Sequence, residues 1–256
     1  MYKIVCRVQG CAITLGIHER DVFVPNLMSW FTAAHMDVVP GETFCDVGAG
    51  SGLHAILAAK LGAARVFGTD INPAALRCAR RNARRNGVAD RCRFFQGDLV
   101  APLVRRGLRV DAVIYNAPQF PGRLVAPGLP ARLRDAVDGG PDGGRLNARF
   151  IREAGQALLP RGRVYNPLVA WAAPHRSLAA IREAGFRRRR LARAGIPPWG
   201  RGNRTRDWFL KHPGPQVFTF GPGGAPGARA WLLELRRGGR TAAARKPARV
   251  EVDFTC

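Results

Sequence analysis

The stretch "TFCDVGAGSGLHAILAAKLG" (43–62) contains a strand, a glycine-rich turn and a helix in direct succession. The run "TFCDV" (43–47) predicts a buried strand, and "GLHAILAAKLG" (52–62) has apolar residues at helical spacing. In the turn, Gly48 and Gly50 can adopt backbone angles that a side chain forbids, so a ligand can lie against the main chain. The spacing G-x-G-x-G behind an aspartate differs from the dinucleotide fingerprint G-x-G-x-x-G and favours another ligand.

The alternation of strand and helix continues along the chain. Further strands are predicted at 65–70, 92–98, 111–117 and 163–171, with helices at 73–87, 147–159 and 175–185. Two weaker runs, 187–194 and 229–237, are interpreted as the last two strands. This order is typical of a mostly parallel sheet with helices on both faces. We therefore expect an α/β fold with a doubly wound, mostly parallel seven-stranded sheet.

The alternating strands and helices define the extent of the expected domain. We expect one α/β domain at 42–237, an N-terminal segment at 1–41 and a basic tail at 238–256. The tail is predicted to be poorly ordered apart from a short strand at "RVEVDF" (249–254).

The composition narrows the environment of the protein. The chain has no apolar stretch long enough to span a membrane, and its start "MYKIVCRVQGC" lacks the apolar core of a secretory signal. We therefore expect a cytoplasmic protein without a membrane partner. The six cysteines form no CxxC pair and have no nearby histidines. This spacing indicates reduced thiols rather than a zinc site or a disulfide framework.

The formal net charge of +23 would attract RNA, acidic proteins or anionic substrates. Only four of the 41 basic residues are lysine, and such an excess of arginine indicates a coding bias as much as a selected surface. The candidate nucleic-acid contacts are three arginines between Trp199 and Trp208, namely Arg201, Arg204 and Arg206. A solvated basic loop is the alternative interpretation.

Acidic residues end the next two predicted strands. Asp70 ends the second strand and can accept both hydroxyls of a ribose, while Asp98 ends the third. Either residue alone is compatible with an ordinary polar strand end. Together with the glycine turn, they predict one ligand site at the carboxyl edge of the sheet.

These motifs resemble those of class I S-adenosylmethionine-dependent methyltransferases. "FCDVGAGSG" (44–52) is similar to their first motif, "VFGTDINPAAL" (66–76) to their ribose-binding strand end, and "FFQGDL" (94–99) to their adenine-side turn. The resemblance covers residues 42–186 and implies a Rossmann-like fold with S-adenosylmethionine as the cofactor. It also implies a set of cofactor-binding residues: Asp46, Gly48, Ala49 and Gly50 at the methionine part, Asp70 and Ile71 at the ribose, and Asp98, Leu99 and Asn116 completing the site.

The fourth predicted strand leads into "NAPQ", which comprises Asn116, Ala117, Pro118 and Gln119. This loop is similar to the Asn-Pro-Pro-Tyr motif of methyltransferases that modify nitrogen, so the resemblance implies that these four residues are catalytic. The asparagine oxygen and the next carbonyl would accept hydrogens from the substrate nitrogen and point its lone pair at the methyl group.

Two departures from that motif concern substrate choice. Ala117 replaces a proline, which should loosen the loop, and Gln119 replaces an aromatic residue that would stack on a flat substrate. Phe120 can supply the missing ring, or Gln119 can hydrogen-bond a less planar substrate, and a softer acceptor atom such as sulfur stays open.

Two longer segments refine the resemblance. Residues 138–165 resemble the segment after the catalytic loop in release-factor glutamine methyltransferases. "DVFVPNLMSWF" (21–31) resembles a leading segment that lies over the cofactor in small-domain relatives. The substrate itself does not transfer with the fold.

The predicted activity is methyl transfer from S-adenosylmethionine to a nitrogen of a protein side-chain amide or a small-molecule amine. One alternative is N-methylation of a base in RNA or DNA. The other is a non-catalytic subunit that binds the cofactor or nucleic acid. The five histidines share no pattern and are interpreted as structural or surface residues.

Overall fold

A seven-stranded sheet runs through the computed structural model, which describes residues 2–18, 20–196, 216–220, 228–237 and 248–255. In spatial order its strands are β5 (Cys92–Gln96), β4 (Arg65–Asp70), β3 (Thr43–Val47), β6 (Val110–Tyr115), β7 (Leu158–Val169), β10 (Ala228–Arg236) and β8 (Arg187–Ile196). The first five are parallel, and β10 is antiparallel to both of its neighbours. The predicted mostly parallel sheet is confirmed, including its two weaker strands.

Helices cover both faces of this sheet. They are α1 (Leu27–His35), α2 (Leu53–Lys60), α3 (Pro73–Arg85), α4 (Ala101–Val104), α5 (Ala131–Arg134), α6 (Arg145–Ala154) and α7 (Pro174–Glu183). Alternate residues of β6 face opposite sides, as the period of a strand requires. Ala112 and Ile114 join a core with α2 and α3, whereas Val113 and Tyr115 join a second core with α6 and α7.

A second, antiparallel sheet joins the two ends of the chain. Its order is β2 (Cys11–Ile17), β1 (Tyr2–Val8), β11 (Ala248–Thr255) and β9 (Gln216–Phe220). The short strand predicted at 249–254 is therefore present as part of β11, and it pairs with β1. The hairpin of β1 and β2 was not predicted, although "YKIVCRV" alternates strictly between buried and exposed residues.

Other expectations concern the thiols, the long basic loop and the membrane. The described cysteines, Cys6, Cys11, Cys45, Cys78 and Cys92, are unpaired, and burial raises the pKa of the Cys6 thiol to about 12. The proposed contact residues Arg201, Arg204 and Arg206, with Trp199 and Trp208, lie outside the described residues. Within the described part, no helix is both long enough and apolar enough to cross a membrane.

Candidate active site

The carboxyl ends of β3, β4, β5 and β6 meet around one cavity of about 470 Å³. This volume lies within the usual range for small-molecule sites. All but one of the predicted site residues line the cavity: Gly48, Ala49, Gly50, Asp70, Ile71, Asp98, Leu99, Asn116, Ala117, Pro118 and Gln119. Residues of the leading segment 21–31, including Met28 and Ser29, line it as well.

The turn after β3 presents its main chain to the cavity. Gly48 and Gly50 have φ angles of +66° and +54°, which explains why glycine is needed at both positions. The amide of Ala49 donates to the Thr69 carbonyl at 2.9 Å, so the turn is fixed to the neighbouring strand. A cofactor with a polar amino-acid end can therefore lie directly against this backbone.

Asp46 is the exception among the predicted residues. Its side chain is buried behind the turn and is not among the described residues that line the cavity. One carboxylate oxygen accepts a hydrogen bond from the Ala55 amide at 3.1 Å, in the first turn of α2, and the other lies 3.7 Å from His54 Nδ1. Asp46 thus fixes the start of α2. It affects the cavity only indirectly, through the position of the turn.

Asp70, the last residue of β4, lines the cavity. Its two carboxylate oxygens accept hydrogen bonds from the amides of Gly50 at 2.9 Å and Asn72 at 2.8 Å. Burial raises the pKa of this carboxyl group, and the backbone donors oppose that shift. Each oxygen keeps a further lone pair for a ligand hydroxyl. Beside it, the apolar side chain of Ile71 is 49% exposed in a cavity wall, where a flat ring could cover it.

Asp98 does not stand free at the adenine side. Arg149 Nη2, from α6, donates to both of its carboxylate oxygens at 2.5 Å. The pair is largely exposed, so its contribution to stability is small. The next residue, Leu99, has an unusual φ of +44°, and its carbonyl accepts a hydrogen bond from the Thr69 hydroxyl. No sequence pattern indicated Arg149, which follows Asp98 by 51 positions.

Asn116 is held by a residue of α1. Its Nδ2 donates to the Ser29 hydroxyl oxygen at 3.1 Å, and Ser29 also forms a reciprocal cap with Asn26 at the start of the helix. The hydroxyl of Ser29 lies 3.3 Å from Asn26 Oδ1, which can accept its only hydrogen. This pattern assigns the Asn116 amino group to Ser29 and leaves Asn116 Oδ1 as an acceptor for a ligand.

At the other end of the loop, Gln119 turns towards β7. Its Nε2 donates to the Pro167 carbonyl and its Oε1 accepts from the Val169 amide, both at 3.1 Å. Phe120 lies beside Trp171 with 6.0 Å between the ring centroids, and both rings line the cavity. The aromatic surface expected near position 119 is therefore present, formed by Phe120 and Trp171.

Sequence reasoning missed several cavity residues. His54, interpreted as structural, does line the cavity, but its Nε2 lies 3.1 Å from the Ser29 carbonyl and its ring is buried. Trp171 is the last residue of the strand predicted at 163–171 and has no distinguishing pattern, and the observed strand β7 ends before it at Val169. Ser29 stands inside the segment that resembles a cofactor cover, so that segment was the one available signal.

Comparisons with known proteins agree with this site. A family model described as ribosomal protein L11 methyltransferase (PrmA) matches residues 29–117. The release factor glutamine methyltransferase of Moorella thermoacetica is 47% identical over 157 residues, which cover 59% of this chain and 52% of the relative. The ribosomal protein L11 methyltransferase of Pelotomaculum thermopropionicum is 46% identical over 126 residues, covering 47% and 39% respectively. The chain thus spans about half or less of these two relatives.

Two solved structures share the fold over most of the chain. The tRNA m1G37 methyltransferase of Methanocaldococcus jannaschii has a TM-score of 0.56 at 14% identity and covers 92% of this chain and 57% of its own. Trm5b of Pyrococcus abyssi has a TM-score of 0.54 at 18% identity, covering 90% and 54%. At these identities the likeness concerns the fold alone.

In sequence over residues 29–117 and in fold over most of its length, this chain is similar to methyltransferases. Within that class, the matching family model and the two curated relatives are named as methyltransferases of proteins.

Proposed function

We propose that this chain transfers a methyl group from S-adenosylmethionine to a nitrogen of a protein substrate, with a glutamine side-chain amide as the acceptor. The observation that carries the proposal is the orientation of Asn116, whose Nδ2 is bound to Ser29 so that Oδ1 is the acceptor at the cavity. The names of the relatives favour a protein amide as the acceptor.

The residues of the cavity suit the cofactor in three places. The glycine turn offers its main chain to the amino-acid end, Asp70 offers lone pairs to the ribose, and Ile71 offers an apolar wall to the adenine. When bound, the cofactor supplies an electrophilic methyl group on a sulfonium sulfur.

The chain's own residues would hold the acceptor nitrogen. Asn116 Oδ1 and the carbonyl oxygen of Ala117 accept its two hydrogens, so the lone pair points at the methyl carbon. Methyl transfer to this nitrogen would break the bond from carbon to sulfur in the cofactor, whose sulfur would keep the electron pair. The nitrogen would release one of its held protons to solvent water and return to a neutral amide. Holding the nitrogen in line supplies most of the acceleration.

The test is incubation with S-adenosylmethionine labelled in its methyl group and separate pools of protein, RNA and small metabolites. We expect label in protein, and mass spectrometry of digested products should place it on glutamine. The Asn116→Ala variant should label protein about 10²- to 10³-fold more slowly. Gln156→Ala, which removes an exposed amide outside the cavity, is the matched control and should leave labelling unchanged. Label on arginine or lysine instead would contradict the glutamine assignment.

RNA is the second candidate substrate, favoured by charge. Helix α3 begins beside the cavity and exposes five arginines without an acidic residue of its own, namely Arg77, Arg80, Arg81, Arg84 and Arg85. If RNA is the substrate, its binding should weaken on the order of a thousandfold between about 50 and 200 mM salt for six phosphate contacts. A protein amide should show a much shallower dependence on salt.

A further inference from the structure

The catalytic loop begins where two parallel strands separate. β6 pairs with β7 as far as Ile114 opposite Tyr165, and β6 ends at Tyr115. β7 continues to Val169, and its other edge pairs with β10 over the same residues. The loop therefore leaves the sheet beside a stretch of β7 whose peptide groups at Pro167 and Val169 point towards it.

The side chain of Gln119 occupies this stretch. In a pair of parallel strands, the N–H of a residue donates to the carbonyl of the residue that precedes its partner on the other strand. Its C=O accepts from the amide of the residue that follows that partner. Gln119 makes this pair of bonds with its side-chain amide, to Pro167 O and from Val169 N, which flank Leu168. The primary amide thus takes the place of one residue of a strand.

The bonds of Gln119 are buried, so they matter energetically. Gln119 is only 6% exposed, and a buried peptide group without its partner costs about 1–3 kcal/mol. Because both atoms of the amide are engaged by β7, Gln119 holds the loop rather than reaching across the cavity.

We propose that Gln119 is a positioning residue that fixes the Asn116 loop by extending the ladder of β7 beyond the end of β6. This inference rests on the proposed function. The loop is then fixed at both ends, since Ser29 holds Asn116 and β7 holds Gln119. The anchor supplies stiffness at a loop in which Ala117 stands at a position where the similar motif has a proline.

The substrate wall follows from the same geometry. With Gln119 turned to β7, the rings of Phe120 and Trp171 offer a flat surface in the cavity wall beside the loop. Gln119 acts on the acceptor nitrogen through the position of Asn116, without contacting it. Its loss should consequently lower kcat and leave the affinity for the cofactor unchanged.

Two variants at this position separate anchoring from packing. Gln119→Met keeps the volume and removes both hydrogen bonds. Gln119→Glu keeps the shape, and its protonated form restores both bonds, with O–H donating to Pro167 O and C=O accepting from Val169 N. Burial disfavours the charged carboxylate, so protonation falls within an accessible pH range.

The experiment measures methyl transfer to a glutamine-containing peptide as a function of pH. We expect kcat to fall about 10- to 100-fold in Gln119→Met at every pH, with KM and the cofactor Kd unchanged. For Gln119→Glu, kcat relative to wild type should rise as the pH falls. A flat ratio for Gln119→Glu, or a wild-type kcat in Gln119→Met, would overturn the proposal.

Hydrogen exchange provides a readout that needs no acceptor. The Val169 amide, bound by Gln119 Oε1, should exchange faster in Gln119→Met, whereas the amides of β7 that pair with β10 should keep their protection. Unchanged protection of Val169 would show that the anchor does not exist. If wild-type protein methylates no peptide while the exchange result holds, the acceptor class is wrong and the anchor stands.

Discussion

Polar side chains are bonded differently at the two edges of the parallel sheet. At the amino edge, the chain's own residues satisfy buried polar groups. Asp111 Oδ2 accepts hydrogen bonds from both the amide and the hydroxyl of Thr43 at 2.8 Å, which ties β6 to β3. At the carboxyl edge, Asp70 and Asn116 are fixed on one side and keep acceptors facing a cavity.

The strongest polar cluster of the amino edge is centred on Arg163. Its guanidinium forms two hydrogen bonds with the Glu42 carboxylate, at 2.7 and 2.8 Å, and one with the Asp37 carbonyl. Its Nε donates to the Tyr165 hydroxyl oxygen, and burial raises the pKa of that phenol to about 12. Four of the five N–H groups of Arg163 are thus engaged by the chain itself, so we assign this edge to folding and the carboxyl edge to function.

Breaking the amino-edge cluster should have the largest effect on stability. Glu42→Ala leaves the Arg163 charge buried without its carboxylate, which should cost about 3–5 kcal/mol. Glu183→Ala, which breaks an exposed pair with Arg152, should cost about 1 kcal/mol or less. Chemical denaturation measures both changes. A loss of turnover per folded molecule in Glu42→Ala would contradict the division of roles between the edges.

Asn116→Ala should have the converse effect at the carboxyl edge. By analogy with the loss of one positioned group at a reacting centre, turnover should fall about 10²- to 10³-fold. The cofactor affinity and the denaturation midpoint should stay close to wild type, because the lost oxygen acts on the substrate nitrogen. Steady-state kinetics with calorimetry measures both. Equal damage to cofactor binding would make the loop a structural element.

Asp70→Ala should weaken cofactor binding, which tests the role of the carboxyl edge from the side of the cofactor. Removing charge-assisted hydrogen bonds to a ribose should cost about 1.5–3 kcal/mol, which is roughly a 10- to 150-fold weaker Kd. Calorimetry with S-adenosylmethionine and its demethylated product should show the loss for both. Asp90→Ala, at an exposed carboxylate outside the cavity, is the control. Unchanged affinity in Asp70→Ala would remove Asp70 from the site.

The sequence predicts the cavity well where its residues follow strands directly. Gly48, Asp70, Leu99 and Asn116 each lie at the end of a strand or shortly after it, and parallel strands bring such positions together at one edge. Asp46 was assigned to the cofactor site by the family resemblance, but it is the fourth residue of β3 and its side chain is directed behind the turn to α2.

Contacts between distant segments carry no local pattern, and there the sequence was insufficient. Strand β11 pairs with β1 from the opposite end of the chain, so neither its partner nor the second sheet was predictable. Gln119 reaches β7 across 48 positions and Asn116 reaches Ser29 across 87. Both residues were placed in the loop from the sequence, but only the fold shows which groups their side chains bind.

Ser29→Ala should give the smallest effect. It tests whether turnover depends on the orientation of the Asn116 side-chain amide. Without the Ser29 hydroxyl, the Asn116 amide can turn and present its amino group to the cavity. A hydrogen bond of about 0.5–1.5 kcal/mol corresponds to roughly a two- to tenfold fall in kcat. Ser29→Thr keeps both the hydroxyl and the helix cap, so it should restore kcat.

A double variant distinguishes orientation from helix capping. If Ser29 acts through Asn116, Ser29→Ala should lower kcat no further in the Asn116→Ala background, because the amide that it orients is absent. Asn116→Ala leaves the cap between Ser29 and Asn26 at the start of α1 intact. Adding Ser29→Ala should therefore lower stability as much in that background as in the wild type. An additive loss of kcat would show that Ser29 acts through the cap or on the substrate, and not by orienting Asn116.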